Sequence, residues 1–138
     1  HGQCPVAESL IYERFLWPQQ MRILSAARQE GAMTRLHMCG RTDPLLAAMR
    51  KLPVDVYELD FLTEVTEARR LLGPERVICG NVDTISTMLH GSVDDVLTSA
   101  SRCRQVCGER HVISPGCEVA PLTPPENVHA LVDFVEAG

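Results

Sequence analysis

The sequence has no apolar run long enough to cross a bilayer, and its first residues lack the basic segment and apolar core of a secretory signal. A cytoplasmic protein with no membrane association is therefore expected. Positive charge is also scarce. The 13 Lys and Arg face 18 Asp and Glu, which leaves a net charge of -5 and a pI near 5.5. Aromatic residues make up 4% of the chain, and no basic run or basic-aromatic interleaving is present to grip a phosphate backbone. Nucleic acid is excluded as a partner on these grounds. Low-complexity segments, interdomain linkers and sequence repeats are absent too, so the 138 residues, 45% of them hydrophobic, read as one domain with one core, residues 1–138.

What is there first is cysteine. Six cysteines could pair as disulfides, but in a cytosolic chain with a sizeable core they are better read as core residues, metal ligands or reactive thiols. Their placement depends on the secondary structure. Hydrophobic periodicity predicts a long helix from Ser9 to Glu30, kinked at Pro18 and closed by Gly31. Four strand-helix units follow. Strands are expected at Met33 to Met38, Val54 to Leu59, Arg76 to Cys79 and His111 to Ser114. Helices are expected to open at Asp43-Pro44, to run from Thr63 to Leu72 before Gly73-Pro74, and to run from a Ser92/Asp95 capping box to Gly108. The last helix is expected to start at TPPE, residues 123 to 126, with Thr123 as its cap. Such alternation argues for the α/β class with parallel strands and right-handed crossovers.

Polar residues gather at the predicted strand ends. Residues two apart on a strand project to the same side, so His37 and Cys39 point together, and the spacing recurs in Glu58 with Asp60 and in Asn81 with Asp83. The fourth strand leads into SPGCE and delivers Cys117. Parallel α/β sheets carry their sites at the carboxyl ends of the strands, and one histidine with two cysteines is a ligand set for a zinc ion that keeps an open fourth position. Each of these residues also has a structural reading. Cysteine packs readily as a small apolar residue, and Glu58 and Asp60 could be ion-pair members as readily as catalytic groups. Cys103 and Cys107 share a helical stripe with Val93, Val96, Leu97, Ala100 and Val106 and are expected in the core. Cys79 fits the core or the surroundings of a site, Cys4 lies near an end, and Glu64 with Glu67 are expected on a solvated helix face.

The segments YERFLWP (Tyr12, Phe15, Pro18), LHMCGRTDPLL, YELDF with EARRLLG, VICGNVDT and SPGCEVAPLTPPEN resemble the C-terminal half of the uroporphyrinogen decarboxylase superfamily, in particular its cobamide-dependent methyltransferase branch. HMCG and SPGCE are the specific elements, and the resemblance covers nearly the whole chain. It implies half of a TIM-type (β/α)8 barrel, four parallel βα units preceded by a long helix. It implies zinc held by His37, Cys39 and Cys117, which match the branch's ligands residue by residue. It also implies transfer of a methyl group from a methylated corrinoid, presented by a separate corrinoid protein, to a small thiol. Asp60, Asn81 and Asp83 become candidates for orienting ligands or substrate, and Glu118 for capping the metal.

Departures from the family pattern are Glu8-Ser9 where Ser-Pro is usual and Arg41 where asparagine is commoner. The decarboxylases share the Gly80 to Asp83 segment but lack the cysteine set. A tetrapyrrole decarboxylase relative, and a catalytically silent binding or assembly module, stay open as alternatives. A closed barrel of this type has about eight strands. Four leave two edges and an inner face uncovered, so self-association or a missing N-terminal half is expected, and the isolated chain should turn over poorly.

Overall fold

A computed structural model describes residues 9–137 of the chain. Cys4 lies outside the described residues, as does Glu8. Among the described residues four strands form one sheet in sequence order, β1 (Arg35–Met38), β2 (Val56–Leu59), β3 (Val77–Cys79) and β4 (His111–Val112), every neighbouring pair parallel. The α/β class and the parallel order expected from the alternation are thus present. Among the described residues, no helix is long and apolar enough to cross a membrane.

Each strand is shorter than its hydrophobic pattern. Ahead of β1, the Asp55 carboxylate accepts from the Thr34 amide at 2.7 Å and from its hydroxyl at 2.9 Å, so side chain and backbone clamp the entry before the ladder begins at Arg35 paired with Val56. Beyond β4 the pairing reduces to a single bridge between Val82 and Pro115, where proline has no amide hydrogen to extend it.

The N-terminal helix is not uniform. Tyr12–Leu16 is a π-helical stretch, and α1 (Trp17–Gln29) follows with Pro18 in its first turn. The kink expected at Pro18 takes this form for a physical reason: a proline cannot donate to the carbonyl four residues back and its ring crowds that carbonyl, which a locally widened turn relieves. Gly31, at φ +77°, closes the helix, and the Ala32 amide bonds Ala27 O at 3.0 Å.

The crossover after β1 departs furthest from expectation. A 3-10 turn (Asp43–Leu45) leads into the one-turn α2 (Leu46–Met49). The turn closes on i+3 bonds, Lys51 N to Ala48 O at 3.1 Å and Leu52 N to Met49 O at 2.9 Å, and Pro53 has no amide hydrogen to carry the helix on. Half-buried Trp17 Nε1 also donates to Ala48 O at 2.9 Å, and the Tyr57 hydroxyl lies 3.0 Å from Met49 O and 3.3 Å from Leu52 O. Helix α3 (Val65–Leu72) is capped by Glu64, which accepts from the Thr66 amide, because the Thr63 hydroxyl is engaged elsewhere. Helix α4 (Val93–Cys107) has the expected reciprocal capping box of Ser92 and Asp95. Helix α5 (Pro125–Glu136) does not use the Thr123 cap. Pro124 stands between, Thr123 falls one residue too early, and its buried Oγ1 has no hydrogen-bond partner.

Helices cover one face of the sheet. Leu36 and Met38 of β1, Tyr57 and Leu59 of β2 and Ile78 of β3 pack with Leu24, Leu46, Met49, Ala68, Leu72 and Cys107. A second cluster joins Val82, Met88, Val96, Ala100 and Leu131. Each fully buried side chain of this size contributes about 1.5–3 kcal/mol. Strand parity puts Arg35, His37, Glu58 and Cys79 on the opposite face, as the register of His37 with Glu58 and Glu58 with Cys79 requires.

The loop between β3 and α4 is held by Asn127, 1% exposed, whose amide donates to Met88 O at 2.9 Å and Gly91 O at 2.8 Å. Asn127→Ala would strand both carbonyls. It is expected to lower stability by about 2 kcal/mol or more, read as a fall in the urea midpoint with unchanged slope.

Candidate metal centre

The sheet's polar face ends in the loops that leave the strands, and three of the sequence-predicted residues meet there. His37 Nε2 lies 3.1 Å from Cys39 Sγ and 3.9 Å from Cys117 Sγ, and the two sulfurs are 3.6 Å apart. Sulfur-metal bonds of about 2.3 Å and nitrogen-metal bonds of about 2.0 Å at tetrahedral angles give ligand-ligand edges of roughly 3.5–3.8 Å. The observed edges, 3.1, 3.6 and 3.9 Å, lie around that range, with the His37–Cys39 edge the short one. Both cysteines are free thiols, not a disulfide. The three donor atoms are the group within 4.8 Å of one another among the described residues. Glu118 is exposed and Arg41 is exposed; neither belongs to that group.

Two local devices bring the sulfurs together. The first is Asp60, 4% exposed, whose carboxylate accepts from the Gly40 amide at 2.7 Å and the Leu62 amide at 2.8 Å. It ties the turn after Cys39 to the turn after β2. Gly40 supports this with φ +87°, a conformation that other L-residues rarely adopt. The second is Gly116, which carries Cys117 toward the sheet centre. A Cβ on Gly116 would collide with the backbone nitrogen of Phe61, and its own amide donates to Val82 O at 2.8 Å.

Behind these turns lies a buried polar cluster. The Thr42 and Thr63 hydroxyls are 2.8 Å apart, and Thr63 Oγ1 also accepts from the Thr42 amide. Asn81 Nδ2 donates to Asp60 O at 3.1 Å and Thr63 O at 2.7 Å, while Cys103 Sγ lies 3.7 Å from its Oδ1. Asn81 therefore fastens the loops together from below. Asp83 is held by its own turn: its carboxylate accepts from the Ile85 and Ser86 amides and the Ser86 hydroxyl. Burial would raise its pKa, but those hydrogen bonds outweigh burial and hold it below the usual carboxylate value. Asn81, Asp83, Ser86, Glu64 and Arg102 line a polar cleft of about 280 Å³.

The remaining cysteines divide by environment. Cys103 and Cys107 are 4% and 5% exposed, as their helical stripe predicted, and burial pushes the Cys107 thiol up to about 11. Burial likewise raises Cys79 and Cys103. Cys39 is also raised, but chiefly by its contact with the Cys117 thiol, then by desolvation and by negative charge on Cys117, Asp60 and Glu58. Glu64 and Glu67 stand on the solvated side as expected, paired with Arg102 and Arg70. His111, which has no partner in sequence, sets its Nε2 2.5 Å from Gly80 O.

The sequence marked Glu58 as an ion-pair member or a catalytic group without its partners, and it did not mark Gly116. Glu58 faces His37 across the strands, its Oε2 3.7 Å from Nδ1, and Arg35 clamps it through Nε at 2.7 Å and Nη2 at 2.5 Å. That ion pair holds Glu58 below the ordinary carboxylate value. The Pro-Gly pair signals a turn in the sequence, but the contact of Gly116 with Phe61 depends on which strand lies beside it.

These environments predict a labelling pattern. With metal removed, iodoacetamide at pH 8 is expected to modify Cys39 and Cys117 and leave Cys79, Cys103 and Cys107 untouched on the same timescale, with added zinc protecting the first pair. Peptide mass mapping reads both.

Comparison with known proteins gives a consistent set of likenesses. The family model for uroporphyrinogen decarboxylase (URO-D) matches residues 7–138. The chain is 29% identical over 122 residues to the methylcobamide:CoM methyltransferase MtaA of Methanosarcina barkeri, covering 88% of this chain and 34% of that protein. It is 28% identical to the methylcobamide:CoM methyltransferase MtbA of Methanosarcina acetivorans, over 88% of this chain and 35% of that one. It is 33% identical over 132 residues to the uroporphyrinogen decarboxylase of Frankia casuarinae, with coverages of 92% and 34%. In structure it superposes on a methyltransferase from Methanosarcina mazei with a TM-score of 0.82 at 27% identity, over 98% of this chain and 38% of that chain. The chain thus spans about a third of the length of these relatives.

Proposed function

Because the chain belongs to the uroporphyrinogen decarboxylase family, we propose that it carries the metal-binding part of a zinc-dependent enzyme that transfers a methyl group from a methylated corrinoid to a thiol. The observation that carries this reading is the convergence of His37 Nε2, Cys39 Sγ and Cys117 Sγ from opposite ends of the sheet. Methyltransferases acting on methylcobamide among its relatives support the direction.

His37, Cys39 and Cys117 would hold the ion and leave its fourth position open. Zinc bound there supplies Lewis acidity, lowering the pKa of a thiol ligand so that its sulfur is nucleophilic at neutral pH. The protein's own groups do the rest. Asp60 fixes the Gly40 turn and with it the Cys39 sulfur, Asn81 locks the turn after β2 in place, and Asp83 offers a charged edge to the neighbouring polar cleft. The methyl donor enters as a substrate on a separate corrinoid protein. In the exchange the thiol would give up its proton to solvent and a carbon-sulfur bond would replace a carbon-cobalt bond, whose electron pair remains with cobalt.

The same reading includes a partner for the sheet. Strands β1 and β4 each have an unpaired edge among the described residues, and Leu10, Phe15, Ile23 and Met33 are 58% to 81% exposed. Further chain of the same barrel, or a second copy, would cover them. Light scattering behind a sizing column should show a stable oligomer or require the longer polypeptide; a well-behaved concentrated monomer would refute this.

One equivalent of zinc is expected in the purified protein by elemental analysis, with Cys117→Ala and Cys39→Ala each binding at least tenfold more weakly. Gly116→Ala, which pushes the Cys117 turn off Phe61, should weaken zinc about tenfold while leaving all ligands present. Affinity should rise with pH through the neutral range: the Cys39 thiol is held protonated by its surroundings, so protons compete with the metal. In the full-length enzyme, chelation should abolish methyl transfer from methylcobalamin to thiols and zinc should restore it. The 33% identity to the Frankia casuarinae decarboxylase favours a second reading. Metal-independent turnover of a porphyrinogen, with no effect of Cys117→Ala, would select it.

A further inference from the structure

The metal-facing nitrogen of His37 is only half of that ring. The other nitrogen, Nδ1, is buried and has no hydrogen-bond partner. A neutral imidazole that offers Nε2 to a cation must carry its proton on Nδ1, and a buried N–H without an acceptor costs about 1–3 kcal/mol.

The nearest acceptor is already aimed at it. Glu58 pairs in register with His37 across the parallel β1 and β2 strands, so both side chains rise from the same face. Its Oε2 is 3.7 Å from Nδ1, about 0.8 Å beyond an N–H···O bond of ~2.9 Å. Arg35, two residues before His37 on the same strand and hence on the same face, grips both oxygens of Glu58 through Nε and Nη2. The carboxylate side chain is only 18% exposed, whereas Arg35 is 54% exposed. The three side chains thus run as a line, guanidinium to carboxylate to imidazole, ending on the two thiols. A surface ion pair alone would not need a carboxylate turned inward beside an unsatisfied ring nitrogen.

We propose that Glu58 is the positioning residue of the metal centre, accepting the Nδ1 proton of His37 while Arg35 fixes its rotamer, so that the ring stands in the one tautomer and orientation that presents Nε2 to the ion. This rests on the zinc reading above. Its physical effect is twofold: it removes the alternative tautomer, whose proton would sit on Nε2 and block the metal, and it makes the ligating nitrogen more basic. Asp60, the other carboxylate near Cys39, serves the loops instead, its oxygens accepting from the Gly40 and Leu62 amides.

The test compares wild type with Glu58→Ala, Glu58→Gln, Arg35→Met and His37→Ala, using the longest natural polypeptide that carries these residues. Zinc affinity is measured by competition with a chromophoric chelator, cobalt(II) spectra report the ligand set, and nitrogen-15 chemical shifts of the His37 ring report the tautomer without metal. Glu58→Ala is expected to bind zinc 10- to 100-fold more weakly, keeping the cobalt-thiolate charge-transfer bands, with its ring shifts moving toward the Nε2-protonated form. Glu58→Gln retains an acceptor and should recover part of both; Arg35→Met should show the same shift at smaller size. Zinc affinity within twofold of wild type in Glu58→Ala, alongside a large loss in His37→Ala, overturns the role of Glu58 and leaves the metal centre standing. Absence of zinc and cobalt binding by wild type overturns both. Glu58→Gln keeps the comparison available should Glu58→Ala fail to fold.

Discussion

The two hydrogen bonds that the Asp60 carboxylate accepts from Gly40 and Leu62 are the constraint on which the site depends. Cys39 stands past the end of β1, where no ladder bond holds the backbone, and a free turn there would let its sulfur wander. Asp60 reaches over from the next strand and pins the residue that follows it. The pin is itself braced, since Asn81 from the third strand holds Asp60 O and Thr63 O, and the Thr42 and Thr63 hydroxyls close the remaining space. Nearly every donor and acceptor in this buried patch is paired, so the loops behave as an extension of the sheet.

The sheet divides labour between its faces. Alternation sends Leu36, Met38, Tyr57, Leu59 and Ile78 into the helices, and that burial supplies most of the stability. The same alternation sends Arg35, His37, Glu58 and Cys79 to the other side. The candidate site residue His37 and its neighbour Glu58 therefore stand on the face that the helices leave uncovered. The cysteines follow the same division: Cys103 and Cys107 are held inert by burial, while Cys39 and Cys117 keep contact with solvent and with each other.

Much of this was legible in the sequence. Glycine and proline punctuation, together with the change of period between strands and helices, located all four βα units. The Ser92 and Asp95 box appeared as written because capping is decided within four residues. Where expectation failed, a proline or a specific local contact intervened. The helix after β1 is a single turn that closes on i+3 bonds before Pro53, and Thr123 does not cap α5 because Pro124 displaces it. Strand ends shortened at Thr34 and Pro115 for equally specific reasons. The candidate trio His37, Cys39 and Cys117 was nameable from the family resemblance of HMCG and SPGCE, but the contacts of Glu58 and Gly116 were not, since each depends on which strand is its neighbour.

By itself the sequence determined the α/β alternation, the strand-end position of His37, Cys39, Asp60, Asn81 and Asp83, and the core position of Cys103 and Cys107, because all of these follow from periods of two and 3.6 read within a short window. Only the tertiary structure decided that Cys117, 78 residues from Cys39, lies 3.6 Å from it, and that Glu58 faces His37. Such contacts are set by strand order and register. Those come from how the whole core packs, a sum over many distant side chains that no local pattern contains.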